Sequence, residues 1–331
     1  MRLFLTRSQV YFHLALSLFL CFPPLASALQ TVDEFINYMA ETHEKDPGAL
    51  SELLGRAKVS DSILEAISRP AEGKKWRQYR PIFVTPERIK RGVEFWQEHA
   101  SALRDAEARF GVPAEIMVAI IGVETFYGRH TGRYRVLDAL FTLGFHYPKR
   151  ADFFRGELEQ FLLLVDEEKV APESLTGSYA GAMGMPQFIS SSFRAYAVDF
   201  DGDGKRNIWS STRDAIGSVG NYLAVHGWQG GGPIVSRAHG EDGAALSELV
   251  DKKLKPSRSV RDFPGVRALE DIDASEAATL MALEAVDGTE YWFGFKNFYV
   301  ITRYNHSAKY AMAVVQLAQA VRAAHSGETG K

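Results

Sequence analysis

The sequence lacks the residues on which several common protein classes depend. It contains one cysteine among 331 residues and no HExxH pair of histidines. A single cysteine excludes an internal disulfide framework, and the missing histidine pair argues against a zinc hydrolase. The 28 glycines and 13 prolines are in ordinary proportion and form no short-period repeat, which excludes collagen, coiled-coil and solenoid architectures. With 46% hydrophobic residues, the chain is long enough to fold around a large buried core.

Residues 1–28 have the features of a cleaved signal peptide. Two arginines precede an apolar stretch that ends at Leu20, and the small residues Ala26–Ala28 occupy the positions that a signal peptidase reads. A membrane anchor is the alternative, but the apolar run is short and prolines follow it. Because the bulky Leu20 precedes Cys21, where lipoprotein processing needs a small residue, we do not expect a lipid anchor. The sequence therefore predicts a soluble periplasmic protein.

Removal of the signal peptide leaves an acidic chain. It then has 36 Lys and Arg against 41 Asp and Glu, a net charge of about −5. Such a charge offers nucleic acid no basic surface, so we expect no nucleic-acid partner. We also expect a monomer with no organic cofactor.

Helix-start signals dominate the first part of the mature chain. Thr31 and Glu34 form a capping box, and Thr85 followed by proline begins a second helical pattern that continues to Gly111. Residues 29–110 are therefore predicted to form an N-terminal helical segment.

The central part, residues 111–235, is predicted to be the catalytic core. Residues 113–126 are apolar on nearly every side of a helix, which is typical of a central helix rather than a surface one. Further helices are predicted over residues 151–168, 190–197 and 213–226.

After residue 235 the pattern changes to a small mixed segment, residues 236–295. Residues 278–284 and 290–295 flank an Asp-Gly turn and predict a β-hairpin. Residues 296–331 are predicted to return to the core as a C-terminal helix, with the helical pattern over 308–324. The fold class predicted is mainly α, within α+β.

Glu124 is the candidate catalytic residue. It is a single carboxylate near the C-terminal end of the apolar helix, where both desolvation and the helix dipole disfavour ionisation. A carboxylic acid that stays protonated near neutral pH is able to protonate a glycosidic oxygen. From composition alone, a buried ion pair with Arg129 or Arg133 is an equally good interpretation.

Three ordered motifs decide between these interpretations. Gly122–Gly128, Gly177–Phe188 and Arg303–Tyr310 resemble the signature of the lytic murein transglycosylase B family, over roughly residues 29–325. The resemblance implies a lysozyme-like core and makes Glu124 the sole acid/base. It also implies cleavage of the β-1,4 bond between N-acetylmuramic acid and N-acetylglucosamine in peptidoglycan.

The same resemblance implies a reaction without water. Protonated Glu124 releases the leaving sugar while the 2-acetamido oxygen traps the anomeric carbon, the substrate-assisted exception to two-carboxylate glycosidases. Glu124 then takes the proton of the C6 hydroxyl, which closes a 1,6-anhydro ring.

Six further positions become substrate-binding candidates only through the resemblance. Each also has an ordinary structural interpretation: a tight loop for Ser178 and Gln187, a half-buried helix tyrosine for Tyr222, and a helix N-cap for Asn305 or Ser307. The resemblance brings the side chains of the last motif to the cleft beside Glu124. The candidates are Ser178, Gln187, Tyr222, Tyr304, Asn305 and Tyr310.

Residues 199–210 begin like a calcium-binding loop. Asp199, Asp201 and Asp203 stand at positions 1, 3 and 5, glycine at 6, and Lys205 offers its carbonyl at 7. Serine replaces the closing glutamate at position 12, so Asp214 is predicted to complete the site, as the resemblance implies. The alternative is an Asp-Gly turn without an ion. Calcium is expected to be structural and not catalytic.

Two other functions remain open at this point. One is a goose-type-lysozyme-like hydrolase that cleaves the same bond with water, and the other is a non-catalytic peptidoglycan-binding protein. In each case the expected partners are peptidoglycan glycan strands, with other cell-wall enzymes as a second class of partner.

Overall fold

A computed structural model of the chain describes residues 31–68, 74–240 and 243–327, with the backbone alone for 243–245. The predicted signal peptide, residues 1–28, lies outside the described residues, as does Cys21. Among the helices of the described part, none has the length and apolar character needed to cross a bilayer.

The N-terminal segment is helical, as predicted. Thr31 makes both halves of its capping box, and the Thr85 hydroxyl accepts from the Arg88 amide at the start of the helix that Thr85 was predicted to cap. The helices are α1 (Val32–His43), α2 (Pro47–Gly55), α3 (Asp61–Ile67), α4 (Trp76–Phe83), α5 (Pro86–Glu98) and α6 (Ala100–Phe110).

The single helix predicted from Thr85 to Gly111 is wrong, because His99 divides it into α5 and α6. The His99 backbone leaves the helical conformation (φ −110°, ψ 23°), and its ring packs against Phe95 with centroids 4.6 Å apart. The break allows the two helices to pack on different partners: α5 lies against the C-terminal and central helices, whereas α6 lies mainly against the helix that follows the aspartate-rich loop.

The central helix is buried on all sides, as its composition predicts. It carries Glu124 close to its C-terminal end, and it packs against α5, α6, the helix after the aspartate-rich loop and the C-terminal helix. The helices of this part are α7 (Ala114–Thr125), α8 (Val136–His146), α9 (Ala151–Glu167), α10 (Ser190–Tyr196) and α11 (Thr212–Val225).

A five-stranded antiparallel sheet forms the small β segment, with strand order β4-β6-β7-β3-β5. The predicted hairpin is confirmed, since β6 and β7 pair from Thr279 with Gly294 to Ala285 with Gly288. The sheet strands are β3 (Val235–Gly240), β4 (Arg258–Ser259), β5 (Val266–Ala268), β6 (Ala277–Ala285) and β7 (Gly288–Gly294); β1 (Tyr134–Arg135) and β2 (Thr176–Gly177) pair separately, and α12 spans Gly243–Leu249.

Two helices, not one, follow the sheet: α13 (Lys296–Tyr304) and α14 (Ala308–His325). The extended residue Asn305 separates them, and Ser307 caps α14 by accepting from the Tyr310 amide. α14 runs antiparallel to α7, because its start contacts Glu124 and its last turn reaches Glu115. The expected mainly α architecture with a small β segment is confirmed.

Candidate active site

Glu124 is the penultimate residue of α7, at the end where the helix dipole is negative. Part of the side chain reaches solvent, yet the protein atoms packed around its carboxyl raise the pKa of Glu124 from 4.5 to about 7. Desolvation is the dominant cause, because removal of water penalises the charged form. At neutral pH a substantial fraction of the carboxyl groups therefore carries a proton.

Tyr310 is the hydrogen-bond partner of Glu124. Its hydroxyl donates to Oε1 of the carboxyl at 2.5 Å, which favours the ionised form and partly offsets the desolvation. Burial, followed by the charge of Glu124, raises the pKa of Tyr310 well above its usual value, so the phenol stays a donor. The carboxyl is thus held in place without being forced into the charged state.

The ion pair considered for Glu124 does not form among the described residues. The Arg129 guanidinium lies 5.9 Å from the ring centroid of Phe126, and that of Arg133 lies 5.8 Å from the ring of Tyr134. No charged neighbour contributes to the pKa shift of Glu124 within the described chain. The carboxyl is therefore an isolated acid in the part of the protein that the structure describes.

Aromatic rings lie next to Tyr310. Tyr304 is stacked with it at 6.5 Å, and Tyr222 lies 4.7 Å from Tyr304. Both hydroxyls donate to backbone carbonyls, that of Tyr304 to Pro186 at 2.7 Å and that of Tyr222 to Arg303 at 2.6 Å. Tyr222 is only 6% exposed and its ring stacks on His226 at 4.1 Å, so of these two residues the partly exposed Tyr304 ring is the one that remains to contact a ligand.

The small-residue loop after β2 is tied together by the two polar residues that the sequence singles out. Ser178 accepts from the amides of Ala180 and Ala182 at 3.3 and 3.0 Å. Gln187, in the left-handed region (φ 52°), donates through Nε2 to the carbonyls of Thr131 and Gly184, both at 3.0 Å. Both side chains therefore shape the loop that borders the site.

Asn305 occupies the bend between α13 and α14, next to Tyr304. Its side chain is partly exposed, and its carboxamide makes no hydrogen bond with any described residue. A carboxamide offers both donors and acceptors. Tyr304 and Asn305 thus lie at the end of α13, not at the start of the last helix as the sequence suggested.

The sequence patterns did not single out two residues close to Glu124 that have structural roles, Thr125 and Tyr127. The buried Thr125 hydroxyl contacts the carbonyls of Ile121 and Met185 and accepts from the Gly128 amide at 3.0 Å, which joins the end of α7 to the loop. Tyr127 has a left-handed backbone (φ 59°) and donates to the Arg88 carbonyl at 2.9 Å. Gly122, two positions before Glu124, is the sequence feature that could have indicated the close approach of a large side chain such as Tyr127.

Gly122 is required by the approach of Tyr127. A Cβ at this position would lie 2.7 Å from Cζ and the hydroxyl oxygen of Tyr127, closer than real side chains approach. Gly92 on α5 would meet the same hydroxyl at 2.6 Å. The Tyr127 ring therefore fills a slot between two glycines and anchors the turn that follows α7.

The aspartate-rich loop brings three predicted ligands together. Carboxylate oxygens of Asp199, Asp201 and Asp203 lie within 4.8 Å of one another, and no Lys or Arg of the described chain forms an ion pair with them. The amides of Gly202 and Gly204 donate to the Asp199 carboxylate at 2.7 and 2.8 Å and fold the loop around it. Unpaired, converging oxygens of this kind fit a calcium ion.

The other two predicted ligands, Asp214 and Lys205, lie outside the group of three carboxylates. Asp214 is fully buried at the start of α11, and its carboxylate accepts from the amides of Phe200, Asp201 and Asn207 at 2.7, 3.1 and 2.8 Å. It holds the backbone of the loop in place and is not part of the group of three carboxylates; that it closes the site stays a prediction. Lys205 is exposed at the end of the loop.

Comparison with known proteins agrees with the geometry. A family model described as the transglycosylase SLT domain matches residues 27–319. The chain is 45% identical, over 298 residues, to membrane-bound lytic murein transglycosylase B of Escherichia coli K12, covering 87% of this chain and 81% of that protein.

Solved structures are similar over nearly the same length. Soluble lytic transglycosylase SltB1 from Pseudomonas aeruginosa is 54% identical with a TM-score of 0.84, covering 89% of this chain and 99% of that one. Escherichia coli lytic transglycosylase Slt35 in complex with calcium is 44% identical with a TM-score of 0.81, covering 88% and 93%. These neighbours confirm the lysozyme-like fold class. Because the family model and the relatives extend over most of its length, the chain belongs to the transglycosylase SLT family, in the group of lytic murein transglycosylase B.

Proposed function

We propose that this protein is a lytic transglycosylase that cleaves the β-1,4 bond between N-acetylmuramic acid and N-acetylglucosamine in peptidoglycan. The observation that carries the proposal is the isolated carboxyl of Glu124, with a pKa of about 7 and a single hydrogen bond from Tyr310. Two-carboxylate glycosidases need a second acid at the site, whereas substrate-assisted enzymes do not. The relatives of this chain are lytic murein transglycosylases.

The first step uses Glu124 as a general acid. Its proton passes to the glycosidic oxygen, the bond to the anomeric carbon of N-acetylmuramic acid breaks, and the sugar's own 2-acetamido oxygen bonds to that carbon. The Tyr310 hydroxyl, already a donor to Glu124, stabilises the carboxylate that this step leaves behind.

The second step uses the same group as a base. The Glu124 carboxylate takes the proton of the C6 hydroxyl, whose oxygen attacks the anomeric carbon and displaces the acetamido oxygen. The product ends in a 1,6-anhydro ring, the acid is regenerated, and no water is consumed.

The six predicted substrate-binding residues differ in which of their side-chain groups remain free to contact a sugar. Tyr304 presents a partly exposed ring, because its hydroxyl bonds to a carbonyl, whereas Tyr222 is 6% exposed and packs against the Tyr304 ring at 4.7 Å. Asn305 retains a free carboxamide for an N-acetyl or hydroxyl group. We propose that Tyr304 and Asn305 contact the sugar, that Tyr222 supports the Tyr304 ring at the edge of the site, that Tyr310 acts on Glu124, and that Ser178 and Gln187 hold the loop against it.

The aspartate loop is proposed as a structural calcium site. Asp199, Asp201 and Asp203 would hold the ion, with the Lys205 carbonyl as a further oxygen ligand. When bound, calcium supplies charge neutralisation that fixes the loop before α11 and takes no part in bond cleavage. A related structure contains calcium.

We propose that the chain acts in the periplasm after removal of residues 1–28, on glycan strands and beside other cell-wall enzymes. Mass analysis of digested murein tests the activity. Products ending in 1,6-anhydromuramic acid are expected, whereas reducing ends throughout would show a hydrolase. Glu124→Gln is expected to abolish cleavage while it leaves sacculus binding intact; a wild type that binds but never cleaves would show a non-catalytic binding protein.

A further inference from the structure

A cavity lies away from Glu124, between α4, α14, β3 and the tip of the β6–β7 hairpin. Its volume is about 710 Å³, which is in the range of ligand pockets. α14 connects the two places: Gln316 and Gln319 border the cavity, and at 1.5 Å per residue they lie about 9 and 14 Å along the helix from Tyr310. We call it the α4–α14 pocket.

Two arginines on α4 give the α4–α14 pocket unpaired positive charge. Arg80 donates through Nε to Oε1 of Gln316 at 2.5 Å, which orients its guanidinium while its terminal nitrogens bond to no described residue. Arg77 makes no hydrogen bond or ion pair with any described side chain. Glu284, whose pKa is lowered by Lys75 and more weakly by Arg77, is already paired with Lys75 at 2.7 Å. The protein as a whole is acidic, so this local charge is distinctive.

The aromatic residues of the pocket are poorly placed to stack on sugars. The Arg237 guanidinium lies 4.9 Å from the Trp292 ring centroid, and Met281 neighbours Trp292 in the strand pairing on the other side. Trp292 also donates through Nε1 to Glu290, which is paired with Arg237 at 2.8 Å. Trp76 is only 2% exposed. A saccharide platform needs an open ring face, so the charge pattern is the better guide to the ligand.

We propose that the α4–α14 pocket binds the acidic peptide of peptidoglycan, with peptide carboxylates on Arg77 and Arg80; this rests on the function proposed above. The planar fork of arginine matches a carboxylate with two parallel hydrogen bonds. Asp287, exposed at the hairpin tip and without a partner among the described residues, offers a carboxylate for a peptide ammonium group. Gln319 adds an amide that suits a peptide backbone.

The spacing allows one substrate to occupy both places. An extended peptide of five residues spans about 17 Å, and the axial separation of Tyr310 and Gln319 along α14 is about 14 Å. α4 connects the two places around the helix, because Arg80 bonds to Gln316 at the pocket while Tyr79 of the same helix is close enough to Tyr310 to affect its pKa. We therefore expect a sugar at Glu124 and its attached peptide in the pocket to bind together. The pocket would then favour strands that still carry peptides over strands that have lost them.

Calorimetry on the full chain tests binding without turnover. The probes are a free pentapeptide with two carboxylates and one amine, and the same peptide with its carboxylates amidated. We expect the acidic peptide to bind, and Arg77→Gln/Arg80→Gln to weaken it about fivefold. The control Arg104→Gln/Lys149→Gln removes two exposed charges outside the pocket and should leave binding unchanged. Absence of binding, equal binding of the amidated peptide, or an equal loss in both variants would overturn the proposal.

Kinetics separates this proposal from the proposed function. With murein that carries peptides, the α4 double variant should raise KM about fivefold at unchanged kcat; with peptide-stripped glycan it should match wild type. An equal rise of KM on both substrates would make the pocket a glycan site and overturn the peptide assignment. If wild type forms no 1,6-anhydro product from either substrate, the proposed function fails, while the calorimetry still reports on the pocket.

Discussion

The Tyr310 hydroxyl donates a 2.5 Å hydrogen bond to the Glu124 carboxyl and so joins the first turn of α14 to the last turn of α7. The two residues are 186 positions apart in the sequence. Burial raises the pKa of Glu124 and this bond lowers it, so their balance fixes the pH at which the acid is available. A residue of the C-terminal helix α14 thus lowers the pKa of a carboxyl on α7.

Removal of that hydroxyl should move the pH profile. In Tyr310→Phe the carboxylate loses its donor, so the pKa of Glu124 rises and the alkaline fall of kcat/KM moves from near pH 7 to higher pH. Hydrogen bonds to charged groups are worth about 1.5–3 kcal/mol, so we expect a displacement of about one to two pH units. The measurement is kcat/KM on soluble murein fragments between pH 5 and 9.

Tyr304→Phe is the matched control for this profile. Its hydroxyl bonds to the Pro186 carbonyl and not to Glu124, so the alkaline limb should stay where it is in wild type. An unmoved limb in Tyr310→Phe, or the same displacement in both variants, would contradict the assigned role of Tyr310.

Glu124 should reduce stability at neutral pH. Its folded pKa is about 7 against 4.5 when unfolded, so the folded protein binds the proton more tightly and loses free energy of unfolding as pH rises between these values, by at most about 3 kcal/mol. Glu124→Gln should therefore be more stable than wild type above pH 7, by an amount that disappears below about pH 4.5. Urea unfolding at pH 4 and pH 8 measures this. The exposed Glu41→Gln should show no such pH-dependent gain.

The slot for Tyr127 should tolerate no added methyl group. Gly122→Ala places a Cβ 2.7 Å from the Tyr127 ring, so the turn after Glu124 must shift; we expect a stability loss of about 1–3 kcal/mol and a fall in kcat of at least about tenfold. Gly156→Ala is the control, because nothing lies within 4 Å of its Cβ on α9, and helix propensity should stabilise it by up to about 1 kcal/mol. Equal activity of the two variants would remove Tyr127 from its anchoring role.

Local signals explain what the sequence could predict. The caps at Thr31 and Thr85, the hairpin turn before Gly288 and the apolar helix around Glu124 depend on neighbouring residues, and the structure contains all of them. The motif resemblance also selected Tyr310, whose position beside Glu124 no local pattern reveals.

What the sequence missed depends on distant contacts. The break at His99 has no glycine or proline to mark it and follows from the different partners of α5 and α6. The left-handed backbone of Tyr127 is held by Arg88 on another helix. Asp214 was predicted as a ligand from the family resemblance, which does not reveal that its buried carboxylate accepts from three backbone amides.

The position of Asp214 gives the calcium loop a two-part test. Calcium should raise the melting temperature of wild type through binding to the folded state, by an amount equivalent to about 2.7 kcal/mol at a hundredfold excess over Kd. Asp203→Asn should abolish that gain and leave the melting temperature in chelator nearly unchanged, because Asp203 is an exposed member of the carboxylate group.

Asp214→Ala should behave in the opposite way. It leaves the backbone amides of Phe200, Asp201 and Asn207 without their acceptor, so the melting temperature should fall both with calcium and with chelator. The exposed Asp271→Asn should match wild type in both conditions. A wild type that melts at the same temperature with calcium and with chelator would rule out the ion, and a loss in Asp214→Ala seen only with calcium would identify Asp214 as a ligand.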